Sequence, residues 1–134
     1  MSGVHVQVRL GNEHYAVSVD HVIEVGEIGG LTFTPGASPA ILGVRNLRGD
    51  VLPVFDLAAA LGLPRGDAPQ RMLVTERGAT RAGFAVDEVT DVDELPEADQ
   101  DVASELLSGA VLLDGALIGV IDVDRLFDSL ERAA

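Results

Sequence analysis

Few residues of this 134-residue chain carry side chains that could do chemistry, and their spacing tests each possibility in turn. Asp56 and Asp122 stand at equivalent ends of two apolar runs, where paired carboxylates could serve as general acid and base. No partner residue completes such a site. Each is instead followed by a stretch with helical pattern, so capping of free backbone N–H groups is the favoured role. His5, His14 and His21 make no familiar ligand pair and read as surface or edge residues. Asp91-Val92-Asp93 and Asp99-Gln100-Asp101 begin like calcium loops but lack the Gly and the distal Glu that such loops need. No Gly-rich loop precedes a helix in the arrangement that cradles phosphate. The absence of Cys excludes a disulfide framework, a thiolate metal site and a Cys nucleophile. These residues therefore predict no catalysis, no metal and no cofactor.

Two other features suit recognition. From Ala82 to Asp124 there are twelve acids and no basic residue, nine of the acids lying between Asp87 and Glu105. Charge at that density favours solvent, as a loop or an exposed face, and would steer a basic partner. The segment Gly43 to Leu57, GVRNLRGDVLPVFDL, places Arg45 and Arg48 in and near a tight turn. Arginine forks there could reach a carboxylate or a backbone carbonyl on a partner.

These residues must be positioned by strands. Val4, Val6, Val8 and Leu10 alternate, which in a strand places all four on one buried face. Gly11-Asn12 then turns the chain, and Tyr15, Val17 and Val19 resume the alternation as a hairpin. Similar runs recur at Val22 to Ile28, Leu31 to Thr34, Val44 to Leu47, Val51 to Phe55, Met72 to Glu76, Arg81 to Val86, Val89 to Val92, Ala110 to Leu113 and Ala116 to Ile121. Many short strands with frequent turn signals predict a mainly β barrel or sandwich. Helix is limited to Leu57 to Leu61 and a C-terminal helix through Leu130, capped by Asp122 or Asp124.

The chain also matches itself. A shift of 67 residues places Gly11, Val17, Val19, Asp20, Val22 and Val25 over Gly78, Phe84, Val86, Asp87, Val89 and Val92. A shift of 66 places Gly43, Gly49, Val54, Asp56 and Leu57 over Gly109, Gly115, Val120, Asp122 and Val123, with Asp114 where Arg48 stands. Two similar five-stranded barrels packed side by side are the expected architecture. The single domain 1–134 would comprise one lobe at about 1–66 and a second at about 67–134, joined at Leu63 to Pro69, with an N-terminal strand exchange between lobes open. A groove between lobes is a natural binding place.

Composition narrows the partners. The formal charge is −13, all nine basic residues are Arg, and they form no stripe that could track phosphates, so nucleic acid is excluded as a partner. The alternating start lacks the apolar block of a signal peptide, and no run approaches the roughly 18 residues of a membrane helix. A cytoplasmic setting without membrane insertion is expected.

The segment Ile41 to Leu57, ILGVRNLRGDVLPVFDL, resembles the hallmark of the CheW family of chemotaxis scaffold proteins, an Asn-Leu-Arg-Gly turn followed by an apolar strand ending in Asp-Leu. Tyr15-Ala16-Val17 leading into Val22-Ile23-Glu24-Val25, then Gly83 to Val92 and Ala116 to Phe127, extend the likeness along almost the whole chain. The resemblance implies two SH3-like five-stranded barrels, no catalysis, and an adaptor coupling chemoreceptors to a histidine kinase. Its partners would be the cytoplasmic hairpin tip of a chemoreceptor and the regulatory domain of the kinase, with recruitment to receptor arrays. Carried over residue by residue, the binding surface would comprise Arg48, Asn46, Glu24, Val22, Val25, Val19 and Val89. The valines would receive the apolar face of a receptor helix, while Arg48 and Glu24 set its register. The segment Asp93 to Ser108 is shorter and more acidic than its counterpart in the family, where that region helps pack scaffold and kinase into rings. The chain reads as a stand-alone adaptor without a receiver or kinase domain. A pilus, gliding or other non-flagellar array, a regulator that has lost one partner surface, and a small-molecule or catalytic barrel using Asp56 and Asp122 are the alternatives.

Overall fold

The computed structural model describes residues 3–32, 40–64 and 69–133. Ten strands alternate with tight turns: β1 Gly3–Leu10, β2 Glu13–Ser18, β3 Val22–Glu27, β4 Ile41–Leu47, β5 Asp50–Asp56, β6 Arg71–Arg77, β7 Thr80–Val86, β8 Glu88–Leu95, β9 Leu107–Leu113 and β10 Ala116–Ile121. A short helix α1, Leu57–Ala60, follows β5, and α2, Val123–Ala133, follows β10. The repeat is visible in the backbone. Gly11 and Gly78 both have φ 61°, while Arg48-Gly49 and Asp114-Gly115 turn with φ 53° and 89° against 51° and 80°. Paired positive φ values are what a two-residue hairpin turn requires, and Gly adopts them without a Cβ penalty.

The strands form two five-stranded sheets, ordered β3-β6-β7-β5-β4 in the first barrel and β8-β1-β2-β10-β9 in the second. Neither sheet follows a cut near residue 66: the β1–β2 hairpin joins the strands of the C-terminal half, and β6–β7 joins those of the N-terminal half. The joining strand pairs, β5 with β7 and β10 with β2, are parallel, whereas the other pairs within the sheets are antiparallel. Each hairpin lies beside strands distant in sequence because its apolar face is covered there. Residues 65–68 of the expected junction lie outside the described residues, as does the end of the expected Leu31 to Thr34 strand. Of that run Thr32 makes an isolated bridge to Val44.

That bridge closes the first barrel, and Gln100 bridging Ala110 closes the second in the same way. Both closures need a glycine. A Cβ on Gly43 would lie 2.6 Å from the Thr32 carbonyl oxygen, and one on Gly109 would lie 2.7 Å from the Ala98 Cβ. Gly43 is therefore a crossing glycine inside β4.

Three cores hold the molecule together. Ile28, Leu52, Val54, Met72, Val74 and Ala85 fill the first barrel, and Ala16, Leu95, Val111 and Ile118 fill the second. The largest core lies between barrels, where Val6, Val8, Tyr15 and Val17 meet Leu73, Phe84 and Val86 under α1 and α2. Val4 departs from the expected buried face and is 37% exposed. The β1–β2 ladder ends at His5 opposite Ser18, so Val4 is paired on the β8 side alone, opposite the exposed Glu94. Arg77 ties β6 of the first barrel to α2: its Nη1 donates to the Asp124 carbonyl at 2.8 Å and to Asp128 at 2.6 Å, with the guanidinium 5.4 Å above the Phe127 ring.

Candidate functional site

The residues expected to bind a partner separate onto two surfaces, and two β-bulges decide which. On β3 the ladder shifts between Val22 and Glu24, so Val22 lies opposite Thr75 and Val25 opposite Leu73, while Glu24 lies opposite Val74. Directly paired residues share a face. Leu73 belongs to the core between barrels and Val74 to the interior of the first barrel. The bulge at Ile23 thus puts Val22 and Val25, three residues apart, on one side and Glu24 on the other. On β8 a matching shift places Val89 opposite Val8 and Val92 opposite Val6. The valines of the two barrels are consequently arranged by the same irregularity.

Val19, Val22, Val25 and Val89 are each partly buried and pack against the core between barrels. Val19 sits on a single 3-10 turn, Val19–His21, whose start is held by the Ser18 hydroxyl accepting from the Asp20 N–H. Val92 shares the face of β8 that carries Val89 and is 55% exposed. Sequence reasoning left it out of the site, although the 67-residue shift that superposes Val25 on Val92 carried the signal. The first four of these valines thus border the core between barrels, and β8 adds an exposed acidic strand with Glu88, Asp91, Asp93 and Glu94.

The polar members gather where the edges of the first barrel meet. Arg48, at the tip of the β4–β5 turn, donates from Nη2 to Glu24 at 2.7 Å, with side chains 73% and 32% exposed. Arg45 donates from Nη1 to the Glu27 carbonyl at 2.6 Å. Both arginines thus find the groups expected of them, a carboxylate and a backbone carbonyl, but within their own chain. The Asn46 side chain accepts from the Gly49 N–H at 3.0 Å and so shapes the turn that presents Arg48.

Nothing in this arrangement supplies acid–base chemistry. Asp56 is buried and accepts from the Ala59 N–H at 3.0 Å at the start of α1, while Asp122 accepts from the Arg125 N–H at 3.0 Å at the start of α2. The two carboxylates satisfy the first turns of separate helices, which is the capping alternative over the catalytic one. Among the described residues no group of three or more His, Asp or Glu side chains could hold a metal ion. No described helix is long and apolar enough to cross a membrane.

Comparison with known proteins agrees with this geometry. Residues 5–131 match the family model of the CheW-like domain. The chain is 32% identical to the probable chemotaxis protein CheW of Rhizobium etli, an alignment covering 96% of this chain and 90% of that protein. It is 30% identical to the chemotaxis protein CheW of Rhizobium meliloti, with the same coverage of 96% and 90%. Among solved structures it is similar to the scaffolding protein TtCheW of Thermoanaerobacter tengcongensis, with a TM-score of 0.83 and 26% identity over 95% of this chain and 88% of that one. Two pseudo-repeated barrels, the Asn-Leu-Arg-Gly turn and near full-length matches thus converge, and the chain belongs to the CheW-like domain family.

Proposed function

We propose that this chain is a non-enzymatic scaffold of bacterial chemotaxis-type signalling that couples chemoreceptors to a histidine kinase. The observation that carries this reading is the exposed Arg48–Glu24 pair at the Asn-Leu-Arg-Gly turn, with Val22 and Val25 on the other side of β3, in a member of a family whose named relatives are chemotaxis proteins. A receptor hairpin would lay the apolar face of a helix on the valines, and the exposed Arg48 guanidinium, on the other side of β3, would make a separate charged hydrogen bond to it. The regulatory domain of the kinase is the second partner, and binding of both would recruit the protein from the cytoplasm to receptor arrays.

The test is co-sedimentation of the purified protein with membranes carrying a cognate receptor, with and without its kinase. The original protein pellets and brings the kinase down, while Arg48→Glu and Val92→Asp, both at exposed positions, stay in the supernatant and remain folded. Equal pelleting of all three proteins moves the receptor surface elsewhere. Absence of pelleting by the original overturns the coupling function. Receptor binding without kinase recruitment identifies a regulator that keeps one partner only.

A further inference from the structure

The repeat extends to the strand register around the two barrel closures, where the barrels differ in one respect. On β3, Val22, Glu24 and Val25 lie opposite Thr75, Val74 and Leu73, and on β8 the equivalent Val89, Asp91 and Val92 lie opposite Val8, Gln7 and Val6. In the hairpins Arg45 pairs with Leu52 and Leu47 with Asp50, as Val111 pairs with Ile118 and Leu113 with Ala116. The turns that follow have matching φ, 53° at Arg48 and 51° at Asp114. Backbone that agrees at all these points sets Asp91 relative to Asp114 as Glu24 is set relative to Arg48. In the first barrel this juxtaposition holds a guanidinium: Arg48 Nη2 donates to Glu24 at 2.7 Å, and Arg45 Nη1 reaches the Glu27 carbonyl at 2.6 Å. In the second barrel Asp114 and the buried Val111 stand in place of the two arginines. Two exposed carboxylates therefore occupy a closure whose twin is built around a guanidinium, and neither makes an ion pair among the described residues. Asp91 commits one oxygen, Oδ1, to the Val92 N–H at 2.9 Å. Beside the tip, Leu112 and Leu117 face each other across the ladder and are 58% and 55% exposed.

We infer that Asp91 and Asp114 bind an arginine side chain of a partner protein, which supplies to the second barrel in trans the guanidinium that Arg48 supplies to the first in cis. The planar fork of arginine can engage two carboxylates at once, whereas the ammonium of lysine acts as a point charge. Apolar neighbours of that arginine would lie on Leu112 and Leu117, two large apolar side chains that stand together in water. The stretch from Ala82 to Asp124, with twelve acids and no basic residue, steers such a segment toward the closure. The contact is small and fades as salt screens it, so it selects the partner and its register more than it adds affinity. This surface lies on the second barrel and the Arg48–Glu24 pair on the first, so failure of either reading leaves the other standing.

Amide NMR of the whole protein, titrated at low salt with a blocked Leu-Arg-Leu tripeptide, reads the contact without receptor or kinase. The peptide shifts the amides of residues 90–92 and 113–115 in a saturable way. Citrulline in place of arginine keeps the shape, removes the charge and weakens binding about tenfold or more, and lysine weakens it several-fold. Asp91→Asn and Asp114→Asn each weaken binding several-fold, and Asn at 91 still accepts the Val92 N–H. Asp101→Asn, the same charge change at an exposed residue outside the closure, leaves binding nearly unchanged. Asp114→Arg places a guanidinium beside Asp91 within the chain and abolishes binding, whereas Asp101→Arg, of equal charge, only reduces it. The inference is overturned if the tripeptide does not bind at millimolar concentration, if its citrulline or lysine counterpart binds as well, or if Asp101→Asn weakens binding as much as Asp91→Asn and Asp114→Asn, which is the mark of diffuse attraction to an acidic surface.

Discussion

Arg48 and Glu24 meet at 2.7 Å between the β4–β5 turn and β3, strands that stand at opposite edges of the first sheet and come together where the barrel closes. Arg45 reaches the Glu27 carbonyl along the same closure, so two arginines, one in β4 and one in the turn after it, hold the edge of β3. The second barrel carries Asp91 and Asp114 at the positions equivalent to Glu24 and Arg48, and two acids cannot make that pair. Side-chain charge thus adds to the bridge that closes the first barrel, and Arg48 of that pair stays largely exposed.

Because the pair is largely exposed, removing it should alter stability by less than about 1 kcal/mol. Glu24→Gln is therefore expected to keep the urea midpoint of the original while weakening receptor co-sedimentation, through loss of the group that orients Arg48. Arg48→Glu should abolish the binding. A large fall in the urea midpoint for either variant would show instead that the pair is chiefly structural.

The crossing glycines make a second prediction. Gly43→Ala and Gly109→Ala each force a Cβ to within 2.6 or 2.7 Å of atoms across the barrel closure, and should each destabilise by about 1–3 kcal/mol in urea denaturation. Gly26→Ala, in β3 with nothing within 4 Å of the added Cβ, is the control and should be nearly neutral.

Loss of the helix caps should be graded by burial. Asp56→Ala leaves the Ala59 N–H without its acceptor at a buried site, and should cost about 1–2 kcal/mol. Asp122 is part-exposed, so Asp122→Ala should cost about 0.5–1 kcal/mol by the same denaturation measurement. Asn at either position should recover most of the loss, since an amide oxygen still accepts the bond.

Tyr15 supplies a spectroscopic readout, being the one tyrosine in a chain without tryptophan. Burial first, then its hydroxyl donating to the Glu13 carboxylate and the charge of that carboxylate, raise its pKa well above the usual tyrosine value of 10.0. The unfolded chain loses this proton near pH 10 while the folded one retains it, so the folded state binds more protons above that pH. Stability from this group is complete below pH 10 and falls as pH rises beyond it. Absorbance of tyrosinate should therefore appear late and together with alkaline unfolding, whereas Glu13→Gln should bring ionisation to lower pH.

Much of this molecule was legible locally. Alternation placed the hairpins, Gly11, Gly49, Gly78 and Gly115 marked their turns, Asp56 and Asp122 signalled the helix starts, and the shifts of 66 and 67 residues announced two equivalent barrels. The Asn-Leu-Arg-Gly turn pointed to the family. Apart from the repeat, each of these signals lies within a few residues of chain, where φ, side-chain alternation and capping are decided by near neighbours. Which strands lie together is different, because backbone ladders are alike for every strand and the choice depends on which apolar faces cover one another. Only the tertiary structure sent β1–β2 into the second sheet and β6–β7 into the first, placed the bulges that turn Val22 and Val25 to one side and Glu24 to the other, set Val92 on the same side of β8 as Val89, and brought Arg48 to Glu24 across the barrel closure.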